Sequence, residues 1–273
     1  MSTATPRPVV LITGAARRIG RAIALDLAGR GFDVAIHYRQ SRDAAEAVVE
    51  EIRRLGARAA ALPGDLAKPE DVERLVPACC DALGAPTVLV NNASEFQPDS
   101  VVSTTLASWN AHLDINLRAP VFLAQQVVRH LPEGMDGNII NIIDQRVWKL
   151  TPEFFSYTLS KAGLWTATRT LAQALAPRVR VNAIGPGPVL QSIHQTDADF
   201  AAEVQSTLLK RGPSTAEIAA AVRFILEAPA MTGQMIALDG GQHLTWSESE
   251  HNKESLIARR DSPAGSRPPR ADG

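Results

Sequence analysis

Short runs of uninterrupted apolar residues alternate with stretches of helical periodicity along most of the chain. Pro8-Val-Val-Leu-Ile-Thr13 reads as a buried strand. Arg18 to Arg30 follows with Ile19, Ile23 and Leu27 at steps of four, the spacing of one helix face, and Gly31 ends it. The same alternation predicts further strands over Asp33–His37, Ala57–Leu62, Thr87–Asn91, Asn138–Ile143, Val179–Ile184 and Met235–Leu238. Between them it predicts helices over Ser41–Leu55, Pro69–Leu83, Ser108–His130, Phe155–Ala176 and Thr215–Leu226. Ser41 is expected to cap the second helix, and Pro77 to kink the third. Strands apolar throughout, each followed by a helix, predict a parallel sheet covered on both faces. Right-handed crossovers then make it an α/β fold: a single doubly wound Rossmann domain on a mostly parallel seven-stranded sheet.

Composition sets the limits of this picture. The predicted domain spans residues 8–246, after a short extension over 1–7. The tail over 247–273 has no periodicity and ends in Pro-Ala-Gly-Ser-Arg-Pro-Pro-Arg before its last three residues, so it is expected to be mobile or ordered by a partner. The net charge of -1 provides no field to gather nucleic acid or an anionic membrane. No apolar stretch approaches the ~20 residues of a membrane helix. The two cysteines, Cys79 and Cys80, are neighbours and form no disulfide framework, and the six histidines show no metal-ligand spacing. A soluble, cytoplasmic protein with a small-molecule substrate and no metal is expected.

The first strand runs into Thr13-Gly-Ala-Ala-Arg-Arg-Ile-Gly20, which opens a helix. Small residues at such a turn let backbone N–H groups approach a pyrophosphate, and the helix dipole favours the same anion. Arg17 and Arg18 add positive charge there. At the end of the second strand stands His37-Tyr38-Arg39-Gln40-Ser41, with no acid before Asp43. An acid at that place would select NAD through the ribose 2′-hydroxyl. Cationic Arg39 and the Ser41 hydroxyl suit a 2′-phosphate instead, so NADPH is the expected cofactor.

Tyr157 and Lys161 are four residues apart on a predicted helix and share a face. A neighbouring ammonium favours the phenolate, and bringing a phenol from its usual pKa of about 10 close to neutrality takes ~3–4 kcal/mol. Alone, the pair is a common spacing. The set Thr13-Gly14…Gly20, Asp65, Asn91-Asn92-Ala93, Asn116, Tyr157-x-x-x-Lys161 and Pro186-Gly187, over about residues 8 to 245, resembles the short-chain dehydrogenase/reductase family in order and spacing. The resemblance implies hydride transfer with a nicotinamide cofactor at the carboxyl ends of the strands. It implies that Gly14, Arg17, Arg18, Ile19 and Gly20 hold the pyrophosphate, with His37, Tyr38, Arg39 and Ser41 at the adenosine ribose. Asp65 and Leu66 would lie near adenine, and Asn92, Ala93, Pro186 and Gly187 would line the cofactor. Asn116 would support a water relay to Lys161, which also holds the nicotinamide ribose. A homotetramer is implied as well.

Two departures from the family pattern stand out. Arg18 replaces the middle glycine of the turn, and Asp144 replaces the serine thirteen residues before the tyrosine. Both resemble the pteridine reductase branch, as do Ser94 and Phe96 in Asn91-Asn-Ala-Ser-Glu-Phe96. A ketone reductase wants a neutral hydroxyl donating to a developing oxyanion, and an ionised aspartate would repel that charge. A pterin instead needs protons at ring nitrogens and presents N–H donors to a carboxylate. Asp144 and Tyr157 are therefore expected as a coupled proton-delivery pair, with Asp144 alternatively capping the segment after it. Phe96 is expected to stack on the substrate ring, Arg18 to meet both pyrophosphate and the pterin carbonyl, and Ser94 to bond cofactor or substrate. Val189 stands where such reductases carry a hydroxyl, and Gln145-Arg-Val-Trp-Lys-Leu150 is bulky and basic, so Arg146, Trp148 or Lys149 would favour a different, anionic substrate or serve the surface. The alternatives are a 3-oxoacyl or small-ketone reductase and, more remotely, a nucleotide-sensing protein without turnover.

Overall fold

The computed structural model describes residues 7–246; the readings made for the tail, and for the extension before residue 7, lie outside the described residues. Seven strands form one sheet: β1 (Val9–Ile12), β2 (Asp33–Tyr38), β3 (Ala59–Pro63), β4 (Val88–Asn91), β5 (Gly137–Ile142), β6 (Val179–Pro186) and β7 (Met235–Leu238). Their order is β3-β2-β1-β4-β5-β6-β7, and every pairing is parallel, where a mostly parallel sheet was expected. The helices are α1 (Arg18–Ala28), α2 (Arg42–Arg54), α3 (Pro69–Leu83), α4 (Leu106–Leu113), α5 (Ala119–His130), α6 (Phe155–Leu175), α7 (Asp197–Ser206) and α8 (Thr215–Glu227).

The strand period of two divides the core between the faces. Val10 and Ile12 of β1 pack with Ile23 and Leu27 of α1, Ile52 of α2 and Val222 of α8. Val9 and Leu11 point the other way, into Leu75 of α3 and Leu123 of α5. The strand order reverses between β1 and β4, so the loops leaving their carboxyl ends diverge and open a crevice there.

Two local expectations are corrected, and one helix is added. The helix predicted over Ser108–His130 is two helices joined by a π-helical turn over Asp114–Arg118, which contains Asn116. Such turns insert an extra residue and re-aim side chains, often at functional sites. Ser41 occupies the N-cap of α2 but its side chain makes no capping bond. Pro77 lies inside α3, which runs as one helix from Pro69 to Leu83. Finally, α7 was not predicted, although Thr196 and Asp199 form a reciprocal capping box at its start, a signal present in the sequence.

Candidate active site

One cleft of about 670 Å³ lies over the carboxyl ends of the strands at this crevice. The structure brings to it every predicted cofactor and substrate residue, Asn116 alone excepted. The turn after β1 is built by its own hydrogen bonds. The Thr13 hydroxyl accepts from the backbone N–H groups of Asn92 (2.9 Å) and Ala93 (3.0 Å), and the Asn92 amide donates to Thr13 O (2.9 Å) and Gly14 O (3.1 Å). Gly14 has φ +63°, and a Cβ there would meet the Ala93 Cα at 3.0 Å, so only glycine fits.

Arg18, which stands where the family pattern has glycine, has a left-handed backbone with φ 54°, at a cost of roughly 1–2 kcal/mol. Its guanidinium donates to Leu190 O and Gln191 O, both at 2.9 Å, on the segment after β6. These donors span the cleft mouth to that segment.

His37 is likewise committed to the protein. Its Nδ1 accepts from the Gly14 N–H (3.1 Å), so Nε2 carries the proton and donates to Gly64 O (3.1 Å). Both ring nitrogens are used, and the ring holds the turn rather than offering a polar contact to a cofactor. Burial pushes its pKa down to about 4. A folded pKa depressed below the unfolded value makes a stability contribution that is complete above about 6.5 and is lost as pH falls towards the folded pKa. Acidification from pH 7 to pH 4 is expected to remove about 3 kcal/mol through this residue. Urea denaturation of the wild type and of His37→Gln at both pH values checks it: the variant should lose correspondingly less.

Around the adenosine end, Arg39 Nη1 lies 3.7 Å from Glu95 Oε2, both partly exposed. Asp65 accepts from Ala67 N–H (3.1 Å) and donates its own N–H to Asp71 (2.8 Å), which shapes the turn beside buried Leu66.

At the other end, α6 presents Tyr157 and Lys161, and the end of β5 presents Asp144. The Tyr157 hydroxyl donates to Asp144 Oδ2 at 2.9 Å. Asp144 Oδ1 accepts from Arg146 N–H at 2.8 Å, capping the 3₁₀ turn over Gln145–Val147. The two readings of Asp144, proton partner and cap, are therefore both present, one on each oxygen. Lys161 Nζ donates to Ile142 O (2.9 Å) and lies 5.7 Å from the Tyr157 ring centroid. Burial raises the Asp144 carboxyl above its ordinary range. Burial first, and then the adjacent Asp144 charge, raise Tyr157 well above 10. Burial lowers Lys161 to about 8, with Asp144 opposing. For the phenol the direction is opposite to the expected shift towards neutrality: the Tyr157 hydroxyl bonds Asp144, and the Lys161 ammonium bonds the Ile142 carbonyl.

Three further side chains of the site have partners within the protein. Asn116 accepts from Glu95 N–H (2.8 Å) and donates to Glu95 O (2.9 Å) and Ser160 Oγ (3.0 Å), with no bond to Lys161. Its amide is thus held by Glu95 of the loop after β4 and by Ser160 of α6. The Ser94 hydroxyl donates to Glu95 O (3.2 Å). Phe96 meets the edge of Tyr157 at 4.7 Å, but it stacks on Phe154 at 4.5 Å with the rings 9° from parallel. One face of Phe96 is thus covered by Phe154, and Phe96 also lines the cleft. Phe154 carries no periodic signal, and its role was not legible. The Arg146 guanidinium lies 4.8 Å from the Phe154 ring centroid, which brings a residue of the basic stretch into the cleft wall.

The family model described as enoyl-(acyl carrier protein) reductase matches residues 14–243. A 3-oxoacyl-[acyl-carrier-protein] reductase of Staphylococcus epidermidis is 34% identical, over 86% of this chain and 98% of that one. The crystal structure of FolM alternative dihydrofolate reductase 1 from Brucella suis in complex with NADP is 51% identical with a TM-score of 0.87, covering 90% of this chain and 99% of that one. A short-chain dehydrogenase from Burkholderia cenocepacia, also in complex with NADP, is 34% identical with a TM-score of 0.82 over 86% and 97%. The chain belongs to the short-chain dehydrogenase/reductase family.

Proposed function

We propose that this chain is an NADPH-dependent reductase of a conjugated C=N bond in a dihydropterin-like substrate. The observation that carries the reading is the 2.9 Å hydrogen bond from Tyr157 to Asp144, a carboxyl where the family pattern has serine. Reducing C=N breaks its π bond and forms one C–H and one N–H bond. When bound, the nicotinamide supplies the hydride. The Tyr157 hydroxyl gives its proton to the ring nitrogen, and the protonated fraction of Asp144, enlarged by burial, returns one to the phenolate. Lys161 lies behind the tyrosine and steadies that transient negative charge. The glycine turn fits the cofactor, since Gly14 leaves the backbone open to a phosphate and the amino end of α1 faces the cleft. The 51% identity to the Brucella dihydrofolate reductase supports the substrate class.

A second reading, 3-oxoacyl reduction, is favoured by the curated relatives. An ionised Asp144 would repel the oxyanion that such a reaction develops. Following NADPH absorbance with dihydrobiopterin, dihydrofolate and a panel of 3-oxoacyl and small ketones separates the two. Pterin turnover is expected, and ketone turnover without it overturns the proposal. Arg39→Ala is expected to weaken NADPH about 10- to 100-fold more than NADH, since a charged hydrogen bond contributes about 1.5–3 kcal/mol. Equal losses in parallel titrations would remove the 2′-phosphate contact. The reading includes a cytoplasmic homotetramer, for which the exposed Phe122 of α5 and Leu159 of α6 supply apolar surface.

A further inference from the structure

The helix bearing Tyr157 begins without a cap of its own. Its N-cap residue, Phe154, is left-handed at φ 54° and offers no capping side chain. The first N–H groups are instead met from the loop after β4. Asp99 O accepts from Phe155 N–H (3.3 Å) and Asp99 Oδ1 from Ser156 N–H (3.1 Å), which also sets a carboxylate at the positive end of α6.

A buried histidine locks this junction. His112 of α4 accepts at Nε2 from Gln97 N–H (3.1 Å), so its proton is on Nδ1 and is donated to Ser156 Oγ (2.7 Å). The Ser156 hydroxyl then donates to Asp99 Oδ2, which also accepts from Thr104 Oγ1 (2.8 Å). His112 and Ser156 are wholly buried, and the His112 and Tyr157 rings lie edge to face at 6.0 Å. Each donor in the chain has one acceptor, so its direction is determined. A buried network this complete rigidifies what it joins. It joins the loop carrying Phe96 to the helix turn carrying Tyr157.

We propose that Asp99, Ser156 and His112 form a positioning unit that caps the tyrosine-bearing helix from the Phe96 loop and sets Tyr157 and the aromatic wall of the cleft in one register. The unit touches none of the groups assigned to the cofactor. Its role in turnover rests on the reading of Tyr157 as proton donor, whereas its geometry does not.

The chain has two tyrosines, Tyr38 and Tyr157, so 3-fluorotyrosine labelling provides two ¹⁹F resonances. Ser156→Ala is expected to shift or broaden the Tyr157 resonance and leave Tyr38 in place. NADPH affinity should stay within about twofold and kcat should fall about tenfold, less than the 10²–10⁴-fold of a lost proton transfer, because the donor is displaced and not removed. Ser156→Thr, which keeps the hydroxyl, should restore both the resonance and kcat. An unmoved Tyr157 resonance in folded Ser156→Ala overturns the proposal, as does an equal disturbance at Tyr38. If Ser156→Ala does not fold, His112→Gln, a neutral donor and acceptor of shorter reach, carries the same resonance test with the same two outcomes. The resonance needs no substrate, so its failure is distinct from failure of the pterin reading.

Discussion

Tyr157→Phe is expected to lower kcat by about 10³-fold while leaving the NADPH dissociation constant within about twofold, because general acid catalysis contributes 10²–10⁴-fold. The hydroxyl bonds Asp144 in the structure, so its removal takes away the proton and leaves the ring packed against Phe96. Asp144 then lacks a donor on Oδ2, and burial already favours its neutral form, so the fold tolerates the change better than a buried charge would allow. Single-turnover kinetics with the preferred pterin, beside a fluorescence titration of NADPH, measure both quantities. Turnover within tenfold of the wild type would show that another group delivers the proton.

Asp144→Asn is the second large effect. The amide keeps the size and can still accept from the Tyr157 hydroxyl, but it cannot exchange a proton. Pterin kcat is expected to fall about 10²-fold. The pH profile carries a sign as well. Asp144 is raised by burial, so the wild type should lose activity as pH rises through that elevated value, and the variant should lose this limb. Stability moves in the same sense. A carboxyl whose folded pKa exceeds its unfolded one contributes stability below the unfolded value and loses it as pH rises through the folded one. The asparagine variant should escape that loss. A variant with pterin kcat within threefold of wild type would sink the coupled pair, and with it the distinction from a ketone reductase.

The parts of this site that the sequence made legible are those set by short-range pattern. The turn from Gly14 to Gly20, the cationic end of β2 and the four-residue step from Tyr157 to Lys161 each lie within one strand–turn–helix unit, and periodicity places them at one edge of the sheet. The presence of a carboxyl at Asp144 was also plain, but its orientation was not, because the residue ends a strand and either of its oxygens can serve the next turn. Phe154 was missed for a related reason. A left-handed residue ahead of a helix carries no sequence period, and its stacking on Phe96 joins segments 58 residues apart. The break at Asn116 was hidden because a π turn preserves helical composition on both sides.

Fold class and the chemical types available in the cleft follow from the amino-acid sequence, since alternation and turn chemistry are local and additive. Which hydrogen-bond partner each polar group takes was decided by packing alone. His37 clamping Gly14 to Gly64, and Asp99 capping α6, are contacts between segments brought together only when both faces of the sheet are covered. In that dry interior an unpaired polar group is costly, so partners are chosen by proximity and burial, which no window of sequence contains.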